Sequence, residues 1–97
     1  MRVIENEMLA AINGGRDWSK DNTRVTSSRV NGVVFSDVFL HHHLIASVSV
    51  WHGKIATSVC KDTLREWPTR TTMSRLRALG VDVCTRKGEV MLNDEPL

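Results

Sequence analysis

The chain has 97 residues, of which 41% are hydrophobic and 25% charged, and its formal net charge at neutral pH is +2. These values are ordinary for one folded globular domain and exclude a largely disordered chain. No stretch approaches the roughly 20 apolar residues that a membrane-spanning helix needs, and no apolar signal segment follows the N-terminus. We therefore expect one intracellular α+β domain over residues 1–97, with no membrane partner.

The first element is predicted to be a helix over Val3–Asn13. Ile4, Met8 and Ile12 recur at four-residue spacing, which is typical of an amphipathic helix. The glycine pair at 14–15 supplies a left-handed stop. This apolar stripe favours packing on a sheet over a groove for a partner helix. The polar residues 16–22 and the last four residues are expected to be unstructured.

From Thr23 the pattern changes to a period of two, which is typical of β-strands. A polar strand over 23–30 with the character of an edge strand ends at Asn31-Gly32, the strongest hairpin signal in the chain. Strands over 33–40, 44–50 and 55–59 follow, separated by turns at 41–43 and 51–54. Ile45 is predicted to face away from Ala46. The middle of the chain is thus predicted to be an antiparallel meander.

A second helix is predicted after the Trp67-Pro68 dipeptide. Thr71 is the best candidate for its N-cap, and Leu76 and Leu79 are predicted to be buried. Gly80 ends this helix, and two short strands over 81–85 and 89–92 follow. The expected fold is α+β, with a curved antiparallel sheet of four to six strands and two helices packed on one face. Cys60 and Cys84 are expected to be reduced, half-buried strand residues.

Two segments resemble a known family. The heptapeptide at 40–46 is similar to a Leu-His-Gly-Asn-x-Ile-Ala motif, with His42 and His43 in place of Gly and Asn. The segment at 67–79 is similar to Trp-x-Thr-x-Thr-Thr-x-x-Arg-Leu-Asn-Ala-Leu, with Arg77 in place of Asn. Both motifs occur in a family of small, uncharacterised proteins encoded by tailed bacteriophages. The resemblance implies a phage origin and a place in the cytoplasm of the infected bacterial host, and it transfers no catalytic residue.

The histidine cluster is the most conspicuous chemical feature. His41 and His43, two residues apart on a strand, could chelate zinc or nickel, and His52 and Cys60 could complete a tetrahedral set. The closely spaced ligand pairs of structural zinc sites are missing, so a polar exposed turn is favoured. The serines and cysteines have no recognisable activating partner, and no phosphate-binding glycine loop precedes a helix. We therefore expect no enzymatic activity, no metal site and no cofactor.

The basic second helix and the tryptophans are the best candidates for binding. Arg70 and Arg77 on or near the outward helix face, with Arg75 at its border, could bind phosphates or a partner, although a solvated helix face has the same composition. Tryptophan is enriched at interface hot spots. Trp67 is expected to lie in the core, and Trp18 or Trp51 at the surface.

The preferred function is therefore a phage accessory protein that binds and inhibits a host or defence protein, for example in the manner of an anti-CRISPR protein. The alternative is a small nucleic-acid-binding or regulatory protein that uses the basic helix over 70–79. The small net charge favours the first hypothesis, because nucleic-acid binders usually carry a concentrated basic field. The oligomeric state stays open, and a homodimer is compatible with the sequence.

Overall fold

The structure is a computed structural model that describes residues 2–97. Its helices are α1 (Val3–Gly14), α2 (Lys61–Glu66) and α3 (Arg70–Ala78). Its strands are β1 (Trp18–Lys20), β2 (Thr23–Val30), β3 (Val33–Leu40), β4 (His43–Trp51), β5 (Lys54–Val59), β6 (Val83–Arg86), β7 (Glu89–Leu92) and β8 (Glu95–Pro96). Among the described residues, no helix is long and apolar enough to cross a membrane.

The strands form two antiparallel sheets. Strands β1 to β5 follow one another in a five-stranded meander, and β6 to β8 form a separate three-stranded sheet. The predicted hairpin at Asn31-Gly32 is confirmed, because Val30 pairs with Val33 and both turn residues have positive φ angles of 51° and 80°. The α+β class and the antiparallel sheet of four to six strands are thus confirmed.

Two strands lie where the sequence predicted no structure. In β1, Trp18 pairs with Val25 and packs against the hydrophobic core, so β2 is an internal strand and not an edge strand. In the C-terminal tail, Glu95 pairs with Leu92 to form β8. Both strands have only two or three residues, too few for a recognisable sequence pattern. Their formation therefore depends on the strands with which they pair.

A bulge corrects the predicted facing of β4. Val38 pairs with Ala46 and Phe39 pairs with Leu44, so Ile45 is the extra residue on its strand. Ile45 and Ala46 are consequently both buried, although strict alternation placed them on opposite faces. Helix α2 contacts this strand.

The three helices cover one face of the five-stranded sheet and enclose the core. The core combines Met8 and Ile12 of α1, Leu76 of α3, and inward residues of the central strands such as Val38 and Val48. The sequence missed α2, because this six-residue helix buries a single apolar side chain, Leu64. The predicted start of α3 is also corrected. Its N-cap is Thr69, whose Oγ1 accepts a hydrogen bond from the backbone N–H of Thr72 at 3.2 Å.

Candidate partner-binding site

A cleft lies at the end of the five-stranded sheet where β3 turns into β4. The segment that leads into α3 forms the opposite wall, and the cleft volume is about 320 Å³. Its lining comes from α2 and from the two segments, 40–46 and 67–79, that resemble the phage-family motifs and are called the motif-like segments below. The lining residues are Leu40, His41, His43, Ile45, Thr63, Trp67, Thr69, Thr71 and Thr72. The fold therefore brings together two segments that are separated by about twenty residues in the chain.

The cleft is dominated by a stack of two aromatic rings. The ring of His43 lies on the indole of Trp67, with centroids 4.0 Å apart and planes inclined by 26°. Trp67 is 40% exposed. The prediction that Trp67 belongs to the core is therefore wrong, because its ring packs on an imidazole at the surface.

Local hydrogen bonds fix both walls of the cleft. On one wall, Oγ1 of Thr69 lies 2.9 Å from Oγ1 of Thr72, next to the capping bond that starts α3. On the other wall, the His41-His42 turn has positive φ angles of 50° and 69°, and the His41 N–H donates to the Asn22 carbonyl at 2.9 Å. His43 pairs with Leu40 and so opens β4, whereas the sequence placed it in the turn. The segments that carry the two stacked rings are thus each anchored by hydrogen bonds.

A second cavity adjoins the first, since His41 lines both. It has a volume of about 470 Å³ and includes Asn22, Arg24, Phe39 and His42 in its lining. The Arg24 guanidinium lies 5.8 Å from the centroid of the Phe39 ring, within the range of a cation–π contact. The two cavities together present aromatic rings, imidazoles and an arginine at one end of the sheet.

The predicted basic face of α3 does not exist as one surface. Arg70 is exposed at the start of the helix, beside the cleft residues Thr69 and Thr71. Arg77 is exposed as well, but its Nε donates to the backbone carbonyl of Val83 at 2.8 Å. Arg75 is 3% exposed and buried in the interior, so it cannot reach a phosphate or a partner. Of the three predicted arginines, Arg70 alone adjoins the cleft.

The two other tryptophans lie on opposite faces of the sheet. Trp18 is half-buried and faces the helices, since its pairing partner is the buried Val25. Trp51 is 52% exposed on the sheet face opposite the helices and contacts the imidazole of His52. Trp51 also ends the strand that His43 begins. Trp18 is therefore removed from the candidate site, and Trp51 belongs to a different surface.

The histidines do not converge on a metal site in the described part of the chain. His43 begins the nine-residue strand β4, which spans about 30 Å, and His52 directly follows the other end of this strand. The set of His41, His43, His52 and Cys60 therefore cannot surround one ion. Within residues 2–97, no group of three or more His, Cys, Asp or Glu side chains could hold a metal ion.

The cleft has the composition of a binding site. Leu40 and Ile45 form an apolar floor, the Trp67 indole supplies a large flat surface, and the hydroxyls of Thr69 and Thr71 at the margin can donate or accept hydrogen bonds. Neither His43 nor Trp67 was singled out as a contact residue by composition or periodicity. The signal that could have found them was the resemblance itself, because both lie in motif-like segments.

Comparison with known proteins places the chain among phage proteins. A sequence model described as Kyanoviridae Gp96 protein matches residues 1–96, nearly the whole chain. No curated protein and no solved structure matches the chain. The phage origin that the motif-like segments implied is thereby confirmed. This chain belongs to the Kyanoviridae Gp96 protein family of bacteriophages.

Proposed function

We propose that this phage protein works by binding a host or defence protein, and that the cleft beside Trp67 and His43 receives a side chain of that partner. The observation that carries the proposal is the aromatic stack. The fold holds a large indole at the surface, 40% exposed, where the second motif-like segment meets the first. The consequence of binding is inhibition by occupancy, in the manner of an anti-CRISPR protein.

The dimensions and polarity of the cleft support a protein partner. A volume of about 320 Å³ accommodates one or two side chains of a partner. An apolar group on the floor of Leu40 and Ile45 would be covered by the indole, while the threonine hydroxyls stay at the wet margin. An aromatic anchor with a polar rim is the usual anatomy of an interface hot spot.

Nucleic acid has less support as the partner. Phosphate binding depends on several cations acting together, and the burial of Arg75 removes one of the three that the sequence suggested. Arg77 is engaged with the Val83 carbonyl, which restricts its reach. With a net charge of only +2, the protein has little long-range attraction for a polyanion.

The test starts with a tagged pull-down from infected bacterial lysate, followed by reconstitution with the purified partner. We expect the partner to be recovered after nuclease treatment and its activity to fall when this protein is added. Trp67→Ala should weaken the measured affinity by roughly tenfold or more, the loss expected at a hot spot. Far-UV circular dichroism and thermal melting check that the variant folds.

Trp51→Ala is the matched control, because it removes another exposed indole from the other surface. It should leave the affinity for the partner within about twofold of the wild-type value, since rim and remote contacts contribute little. A loss confined to Trp51→Ala would contradict the proposed cleft. Recovery of nucleic acid alone, with a dissociation constant below about 10⁻⁸ M at physiological salt, would contradict the protein partner.

A further inference from the structure

Within residues 2–97, nothing covers the second face of the five-stranded sheet. The helices pack on the face of Val25, Val38 and Val48, and every outward side chain of β2 to β5 is exposed or half-exposed. The strand registers arrange these outward side chains in rows across the sheet. Two central rows are Ser28, Phe35, Ser49 and Ala56, and then Thr26, Asp37, Ser47 and Ser58.

In the two central rows, this face carries one projecting side chain, the knob, and one depression, whereas the exposed Trp51 lies at the end of β4, outside these rows. Phe35 on β3 is 45% exposed and projects from the centre. Beside it, β4 and β5 carry only small outward side chains in these rows, and a shallow cavity of about 370 Å³ lies there. The floor of the depression is formed by Ser47, Ser49, Ala56 and Ser58.

The knob and the depression are placed symmetrically about β4. Phe35 pairs with Ser49 on one side, and Ala56 pairs with Ser49 on the other. The next row repeats the arrangement, since Asp37 and Ser58 flank Ser47. A two-fold axis along β4 would therefore set each Phe35 over the Ala56 of a second copy, at the usual face-to-face sheet spacing of about 10 Å.

The polar groups fit the same operation. Asp37 is the single charge in the two central rows, and it already accepts a hydrogen bond from Ser47 at 2.8 Å. Under the two-fold axis, the hydroxyl of Ser58 from the second copy would face this carboxylate as a donor. Apolar groups would meet apolar groups and an acceptor would meet a donor, with no like charges opposed in these rows.

We infer that the uncovered sheet face binds a second copy of this chain, so that two five-stranded sheets pack face to face about β4. Three strands of each copy overlap, an area of about 14 by 26 Å from standard strand spacing and rise. This is about half the roughly 800 Å² per partner of a standard stable interface. The dimer is therefore weak and concentration-dependent, and it is independent of the cleft at Trp67.

Analytical ultracentrifugation of the full chain between about 10 µM and 1 mM tests the dimer directly, since weak interfaces dissociate in this range. Wild-type protein should shift from monomer toward dimer as its concentration rises. Phe35→Ala removes the knob and Ala56→Phe fills the depression, so each should weaken association by roughly tenfold or more. The double variant Phe35→Ala with Ala56→Phe exchanges the knob and the depression across the axis and should restore association. If the single variants failed to associate because they were misfolded, combining them would not restore association.

A second pair of variants tests the position of the axis. Ser49 lies on it, so Ser49→Asp and Ser49→Lys should each place two like charges together and remain monomeric. Mixed in equal amounts, these two variants should form a heterodimer. Ile55→Ala, which removes an exposed apolar side chain from the opposite sheet face, is the control and should leave association unchanged. A monomer at every concentration, or a dimer that none of these changes affects, would overturn the inference.

Discussion

Arg75 of α3 and Glu5 of α1 form a buried ion pair in which Nη1 lies 2.8 Å from Oε2, and each side chain is only 4% exposed. Ser74 donates to the same carboxylate oxygen at 2.5 Å, and Arg75 Nε donates to Oγ1 of Thr23 at 3.0 Å. This network joins both long helices to β2 behind the sheet. The arginine that the sequence assigned to a binding surface is therefore part of the interior.

Arg75→Met should destabilise the protein by about 3–5 kcal/mol, because it leaves the Glu5 carboxylate buried without its charged partner. The free energy of unfolding can be measured by urea titration. Arg77→Met is the matched control, since this exposed arginine of the same helix loses one hydrogen bond to Val83 and should cost about 1 kcal/mol. A loss below about 1.5 kcal/mol for Arg75→Met would contradict a tightly coupled pair. The double variant Arg75→Met with Glu5→Gln should lose less free energy of unfolding than the sum of the two single variants, because Glu5→Gln removes the uncompensated charge.

Stability should fall in acid because of Glu5. Burial by itself raises the pKa of this carboxyl, but hydrogen bonds from Ser74, Arg75 and the Arg2 backbone, with the charge of Arg75, hold it below its ordinary value of 4.5. A group with a lowered pKa contributes its full stabilisation above the unfolded-state pKa and loses it as the pH falls through the folded-state value. Urea titrations between pH 7 and pH 3 should show this loss below about pH 4.5. Glu5→Gln removes the titrating group and should flatten this part of the profile, and equal slopes for the two proteins would refute the assignment.

The position of the α3 N-cap can be tested with two threonines. Thr69→Ala should cost about 1 kcal/mol, because it removes the acceptor for the Thr72 N–H. Thr71→Ala, two residues later and already inside the helix, should change the free energy of unfolding by less than about 0.5 kcal/mol. Thermal or urea unfolding of the two variants compares them. If Thr71→Ala lowers the free energy of unfolding more than Thr69→Ala does, the N-cap is Thr71, as the sequence predicted, and not Thr69.

Features with local causes could be predicted from the sequence. The end of α1 depends on a glycine that adopts a left-handed φ of 64°, and the Asn31-Gly32 turn depends on two residues that tolerate positive φ. The buried face of α3 follows from the spacing of Leu76 and Leu79. Each of these patterns lies within a few neighbouring residues, so no distant contact is needed to specify it.

The sequence by itself also determined the α+β class, the antiparallel meander and the resemblance to phage proteins. Only the tertiary structure decided which charges are buried and which aromatic rings are exposed. From the sequence, Arg75 was predicted to be a surface cation. The fold buries it by bringing Glu5, seventy residues earlier, within hydrogen-bonding distance. From the sequence, Trp67 was predicted to be a core residue, but in the fold its indole stacks at the surface on the ring of His43, the first residue of β4. Burial and stacking depend on partners distant in the chain, and their free energies are set by contacts that no local pattern contains.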